Sequence, residues 1–264
     1  MQFGLIHYRA PGDTLEQFLD YAADTGFDSV ELFGSDIWHD NVDSPEREAE
    51  RVRRLLDQRG IVASALGTGN DFVVLEETAI QAQIERMARL SKLATIIGAK
   101  VLRTEGGSRK EQVPKEKEAQ AIAGCLQRCL EFVERDDTYL AVDNHGYVTN
   151  DPAVLLGALR AVDSPHAGAN LDTANIHWAG NDLTTCQRFY DDVAPYVRHT
   201  HIKDCTGCAP DSTYQSTVAG EGDVDLIHAI LSLQRAGYQG VFTAEWEGEG
   251  DGGQAYAKCL DWMR

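Results

Sequence analysis

The sequence predicts an α/β protein built as a single (β/α)8 barrel, and three observations predict it. The chain has 264 residues, close to the roughly 250 of a typical eight-stranded α/β barrel. Short apolar runs bounded by turn residues alternate eight times with longer amphipathic stretches, the pattern of repeated βα units. An open doubly wound sheet would alternate too, but it expects a G-x-G-x-x-G turn after its first strand, where this chain has His7-Tyr8-Arg9-Ala10.

The units read off in order. The first strand spans 2–7 and its helix 14–25, with Thr14 as N-cap and Gly26 as the stop. The second strand is 27–33. Ser44-Pro45 then opens a helix with proline at its first position, running to residue 58 before Gly60. Strand 61–66 is followed by helix 77–97, ended by Gly98. Strand 100–104 pairs with helix 114–134, strand 139–143 with helix 152–161, and strand 166–171 with helix 183–193. Strand 197–202 with helix 224–236 and strand 240–244 with helix 254–263 complete the series. No linker or compositional shift interrupts it, so one domain over 1–264 is expected.

Composition narrows the function. The chain carries 42 acidic against 24 basic residues, a formal net charge of −18. Nucleic acids bind through positive surface that neutralises phosphates, so a DNA or RNA partner is disfavoured, as is docking on an anionic membrane. No apolar run approaches the roughly 20 residues needed to span a bilayer. The N-terminus enters a strand with no signal-like segment, so a cytoplasmic location is expected. The six cysteines include one CxxC, Cys205 and Cys208, with no second pair at zinc-finger spacing, so neither a disulfide framework nor a structural zinc is expected.

Barrels of this kind place their chemistry at the C-terminal ends of the strands. There the sequence has Glu31, then Arg103-Thr104-Glu105, Asp143-Asn144-His145-Gly146 and Asp172-Thr173-Ala174-Asn175, then His199-Thr200-His201-Ile202-Lys203 and Glu245-Trp246-Glu247. Asp143, Asp172, His201 and Glu245 come from separate strands and make a mixed oxygen and nitrogen donor set. Such a set suits Mn2+, Mg2+, Co2+ or Zn2+ better than a thiolate-selecting metal. Each position also has a plainer reading. Asp172 fits a helix N-cap, His199 shares the strand face of His201, and Glu247 rivals Glu245.

Taken in order and at these separations, the strand-end segments resemble the sugar phosphate isomerase/epimerase superfamily, the xylose isomerase-like TIM barrels. The resemblance also covers Gly26-Phe27-Asp28-Ser29-Val30-Glu31-Leu32, Gly220-Glu221-Gly222-Asp223-Val224-Asp225 and Gly237-Tyr238-Gln239-Gly240, and so nearly the whole chain. The group includes ketose 3-epimerases, hydroxypyruvate isomerase, inosose dehydratase and endonuclease IV. It implies one divalent metal ion, Mn2+ first among the candidates, on Asp143, Asp172, His201 and Glu245. It further implies Glu245 and Asp143 as the acid/base pair, with His145, Lys203, Asn175 and Glu31 contacting substrate or supporting the barrel mouth.

Two positions depart from the family pattern. Asp143 stands where members usually carry glutamate, and Asn175 where epimerases often carry histidine; asparagine cannot exchange a proton near neutral pH. The expected reaction is proton abstraction α to a carbonyl of a small sugar or polyol ketone through an enediolate, giving isomerisation or epimerisation. Loss of water from a keto-sugar and non-catalytic sugar binding are the alternatives, and DNA repair is disfavoured by the charge. The expected partner is a small sugar or polyol, with self-association into a homo-oligomer left open.

Overall fold

The computed structural model describes residues 1–264. Strand and helix alternate through β1 (Gln2–Ile6), α1 (Leu15–Thr25), β2 (Ser29–Phe33), α2 (Pro45–Arg59), β3 (Val62–Gly67), α3 (Glu77–Ile97), β4 (Val101–Thr104), α4 (Glu118–Arg135), β5 (Tyr139–Asp143), α5 (Pro152–Val162) and β6 (Ala167–Asp172). A one-turn helix, α6 (Asn175–Trp178), precedes α7 (Leu183–Val193) and β7 (Val197–Ile202). A short hairpin of β8 (Asp204–Thr206) and β9 (Gln215–Thr217) then leads to α8 (Leu226–Arg235), β10 (Val241–Ala244) and α9 (Gly252–Met263). The order β1-β10-β7-β6-β5-β4-β3-β2 closes a parallel barrel, and β8-β9 stand apart as an antiparallel pair.

Local chemistry sets the helix ends. Thr14 and Gln17 form a reciprocal capping box at the start of α1, and Gly26 ends that helix in the left-handed region at φ 93°. Ser44 caps α2, with Pro45 at its first position. One boundary moves inward: residues Lys115–Lys117 form a 3-10 turn, so the α-helix expected from residue 114 begins at Glu118. No helix is long and apolar enough to cross a membrane.

Outward-facing strand residues and the helices share one continuous apolar core, while Ala65, Val101 and Ala141 form a small separate layer. Ala65 and Val101 are register partners on β3 and β4, and Ala141 on β5 lies opposite Arg103. Such small side chains leave room above them for the polar layer at the strand ends.

The hairpin after β7 is organised by Asp204. Its carboxylate accepts backbone N–H groups from Cys205 at 2.8 Å, Gly220 and Gly222 at 2.9 Å, and Val224 at 3.2 Å. A Cβ on Gly222 would lie 2.2 Å from Asp204 Oδ1, so only glycine permits the approach. The two segments that flank the hairpin in sequence are therefore one folded unit. All six cysteines are free thiols, Cys205 and Cys208 among them.

Asp204→Ala would strand these donors in a largely buried loop, at a cost of about 3 kcal/mol. Urea unfolding should show a lower midpoint for this variant than for the wild type. A Ser44→Ala control that removes only a helix cap should lose about 1 kcal/mol.

Candidate metal centre

Asp143 ends β5, Asp172 ends β6, His201 lies in β7, and Glu245 directly follows β10. Strand register puts Asp172 beside His201, and His201 beside Thr243, two residues before Glu245. All four side chains are buried, Glu245 being the most open at 9%. From His201 Nδ1 the distances are 2.7 Å to Glu245 Oε2, 3.9 Å to Asp143 Oδ2 and 4.0 Å to Asp172 Oδ2.

Two of these atoms lack partners. Asp172 Oδ1 accepts from the backbone of Ala174 and Asn175, each at 2.9 Å, while its buried Oδ2 has no hydrogen bond. Asp172 thus caps the turn into α6 with one oxygen and presents the other to the cluster. His201 Nδ1 is likewise buried and unbonded; it is close to Glu245 but not aligned with it. The other ring nitrogen, Nε2, meets Glu31 Oε2 at 2.8 Å. Because a carboxylate only accepts, Nε2 carries a proton there, and Nδ1 is the ring nitrogen turned toward the carboxylates, able to ligate a cation once it gives up its own proton. His199 lies deeper, its Nε2 2.8 Å from the same Glu31 oxygen and 3.3 Å from Thr243 Oγ1.

Two permanent cations brace the ring of acids. Arg103 Nε meets Glu31 Oε1 at 2.5 Å, and its Nη1 reaches Asp143 Oδ2 at 3.2 Å. Asn170 Nδ2 donates to the other Asp143 oxygen at 2.8 Å. Lys203 Nζ lies 3.2 Å from both Glu245 Oε1 and Asn175 Oδ1, 3.1 Å from Glu247 Oε2 and 3.7 Å from Asp172 Oδ2. Four buried carboxylates (Glu31, Asp143, Asp172, Glu245) face two fixed cations (Arg103, Lys203), an excess of two negative charges that protons on His201 and Asp172 offset when no metal is bound.

Protonation follows from that imbalance. Burial, reinforced by the charges of Glu245 and Asp143 against the opposing pull of Lys203, pushes Asp172 up to about 7. Burial raises Asp143 as well. For Glu245 burial is outweighed by Lys203 and His201, which hold it below the usual carboxylate range. In His201 burial opposes the charged form, but Glu31 and Glu245 raise it well above its ordinary value. One imidazole nitrogen, three carboxylates, two unbonded buried donor atoms and a surplus of two negative charges fit a divalent cation.

The remaining expected residues fall in different places. Lys203 and Asn175 sit against the cluster, whereas His145 stands on the rim, its side chain 54% exposed and Nδ1 4.0 Å from Asp143 Oδ2. Glu31, expected among the substrate-contacting groups, has no exposed surface and lies beneath His201 with all its contacts to Arg103, His199 and His201. It supports the site from beneath, through His201 and Arg103. Glu247 pairs with Lys203 and Tyr214 further out.

Sequence reasoning missed the roles of Arg103, Asn170 and Asn144. Asn144 bonds the Asp172 backbone both ways at 2.9 Å and so fixes β5 against β6. An arginine within the wholly buried strand β4 was the available signal. Arg103, Arg109 and Lys110 are each paired, with Glu31 and Asp143, with Glu118, and with Asp71. Phe72 and Trp246 belong to the core, and Trp178 packs on Tyr147. A cavity of about 700 Å³ lies at the opposite end among Lys100, Tyr139, Val197 and Gly240, away from these residues.

A closed parallel barrel with buried carboxylates and an imidazole at its C-terminal mouth defines a class, the TIM barrels with a candidate divalent-metal centre. The profile of the xylose isomerase-like TIM barrel matches residues 19–264, and the chain belongs to that family. No curated protein gives a sequence match. Among solved structures, a D-tagatose 3-epimerase-like protein is 18% identical with a TM-score of 0.81, covering 100% of this chain and 97% of the other. The IOLI protein, solved with a zinc atom, is 15% identical with a TM-score of 0.84, covering 100% and 96%. A probable 3-DHS dehydratase, AsbF from Bacillus anthracis, is 18% identical with a TM-score of 0.78, covering 100% and 99%. At these identities the likeness is one of fold.

Two outcomes follow from this geometry. Asp172→Ala and His201→Ala should each emerge from purification without the divalent metal that elemental analysis finds in the wild type. The raised Asp172 carboxyl and the raised His201 imidazole must both lose protons to bind metal, so affinity should rise with pH through about 7 and continue to rise above it. The metal-free fold has the opposite dependence: Asp172 contributes most below its unfolded value of 3.8, and that contribution is lost as pH rises through about 7. Calorimetric titration of metal between pH 5.5 and 8.5 checks the first trend; flat affinity would refute it.

Proposed function

We propose that the chain is a divalent-metal-dependent isomerase or epimerase acting on a small sugar or polyol ketone by proton abstraction α to a carbonyl. The observation that carries this reading is the pair of unbonded buried atoms, His201 Nδ1 and Asp172 Oδ2, turned toward Asp143 and Glu245. Family membership and the epimerase-like and zinc-bearing neighbours support it. Asp143, Asp172, His201 and Glu245 would hold the ion, and an oxygen-rich set of this kind suits Mn2+. When bound it supplies Lewis acidity toward a carbonyl oxygen and its neighbouring hydroxyl.

The chain's own residues divide the remaining work. Glu245 is the most solvent-open of the four and lies on the Lys203 side of the mouth. It takes the proton from the substrate carbon as the C–H electron pair moves into a carbon–carbon double bond and the carbonyl oxygen gains negative charge. Lys203 Nζ faces that charge. Burial works against its ammonium form, but Glu245, Asp172 and Glu247 keep it protonated. Asn175, bonded to Lys203, and His145 at the rim orient hydroxyls.

Asp143 has the shorter side chain, and both its oxygens are engaged, by Asn170 and by Arg103. We therefore read it first as a ligand. Glu245 then returns the proton to the neighbouring carbon while the hydroxyl proton passes between the two oxygens, which interconverts ketose and aldose. Delivery to the opposite face, as epimerisation requires, would call on Asp143. The same protonated Glu245 could instead deliver its proton to a β-hydroxyl leaving as water, the reading that the dehydratase neighbour keeps alive.

Solvent deuterium exchange followed by NMR, with Mg2+-loaded protein and a panel of ketoses, tests the proposal. Exchange at a carbon next to the carbonyl is expected, and Glu245→Gln should slow it by about 10²–10⁴-fold, the usual contribution of a positioned acid/base group. Metal-loaded protein that exchanges no α-hydrogen in any ketose would falsify the reading.

A further inference from the structure

The end of the barrel opposite the metal centre is hollow. The N-terminal ends of β4, β5, β6, β7 and β10, five neighbours in the barrel, surround the cavity of about 700 Å³. That volume falls within the roughly 300–1,000 Å³ of pockets that hold small organic ligands. Pro165, Pro195 and Val197 supply apolar wall beside Tyr139 and Tyr238. The chain carries 42 acidic residues, yet none of the 13 residues that line this cavity is acidic.

One cation is built into the wall. Between β6 and β7 the register passes from Ala169 opposite Val197 to Asn170 opposite His199, so Arg198 is the extra residue of a β-bulge. Bulges of this kind re-aim a side chain. Arg198 crosses β6 at Gly168, where a Cβ would come 2.7 Å from Arg198 Cγ. Gly168 lies opposite Ala141 of the small inner layer, so the stem of Arg198 runs along the inner side of the barrel. Its Nε donates to Pro165 O at 3.0 Å and its Nη1 to Val197 O at 3.1 Å, both residues of the cavity wall. These two bonds fix the guanidinium and leave three of its five N–H donors, and its whole charge, without a carboxylate. The other cation of the wall, Lys100, already holds Asp137 at 2.6 Å.

The rings are also fixed before anything binds. Tyr139 stacks on His166 with ring centroids 5.0 Å apart. Tyr238 donates its hydroxyl to Val241 O at 3.0 Å and packs on Gly240, where a Cβ would meet the ring at 2.4 Å. A cavity held open in this way loses little side-chain freedom on binding.

We propose that this lower mouth is a second ligand site, for a small organic monocarboxylate with a flat apolar body. The carboxylate pairs with the free N–H groups of Arg198, whose planar fork matches it in geometry. The body lies against Tyr139, Tyr238 and the two prolines. One unmatched positive charge suits one negative charge, and the volume exceeds what an inorganic anion would fill. The site stands apart from the metal centre and does not depend on its chemistry.

The test is binding of benzoate, acetate, benzamide and inorganic phosphate to the full-length protein, by calorimetry and ligand-observed NMR, with and without added Mg2+. Benzoate should bind saturably and to the same extent in both conditions. Acetate lacks the apolar body, benzamide lacks the charge and phosphate lacks both the shape and the apolar surface; each should bind about tenfold or more weakly. Arg198→Gln should weaken benzoate by about tenfold or more, as expected for lost charge-assisted hydrogen bonds. Should that variant fail to fold, Gln239→Glu serves: it sets a negative charge at an exposed position of the same wall and should weaken benzoate severalfold. Binding that disappears with the metal, that benzamide or phosphate matches, or that neither variant weakens overturns the site. So does the lack of saturable benzoate binding below about 10 mM.

Discussion

The polar layer of this barrel hangs on one buried carboxylate. Glu31 receives Arg103 on one oxygen and both His199 and His201 on the other, with no exposed surface. Burial alone would raise its pKa, but Arg103 and the histidines hold it well below the usual range, so it stays ionised inside the protein. Breaking such a buried pair by removing one partner typically costs 3–5 kcal/mol, because the other charge is left uncompensated. Through Glu31, three strands far apart in sequence, β2, β4 and β7, set the orientation of a single imidazole.

From that point the mouth assembles outward in layers. Glu31 decides which His201 nitrogen faces the cluster, and Arg103, fixed by Glu31, sets the carboxylate of Asp143. Gly67 gives the guanidinium room, since a Cβ there would lie 3.0 Å from Arg103 Nη2. Asn144 and Asn170 lock the β5–β6 edge, which carries two of the acids. The result is asymmetric. The β5 acid is held by Asn170 and Arg103, whereas the acid after β10 lies between Lys203 and His201 at the more open side of the mouth.

Much of this architecture was legible in the residues. The bounds of α3, β5, α7 and β7 coincide with those read from the sequence, because apolar periodicity, Gly98 and Ala194-Pro195 mark them locally. The barrel itself followed from strict alternation and from ionisable groups at strand ends. The hairpin β8–β9 and the single turn α6 escaped, since each is too short to carry a period; Asp204 ties the hairpin to the later Gly220 and Gly222, and Asp172 caps the turn. At the mouth, Asp143, Asp172, His201 and Glu245 were recognisable by position, and the structure brings all four together.

The sequence by itself determined the repeating βα units, their order, and which ionisable side chains reach the strand ends, because periodicity and capping are local properties of the chain. Only the tertiary structure decided how those groups share the space. It turned Arg103 inward to pair with Glu31, placed Glu31 beneath the cluster, and gave Asp172 one oxygen for the turn and one for the site. Orientation, burial and net local charge depend on residues up to 170 positions apart, as between Glu31 and His201, and such sums exist only once the barrel has closed.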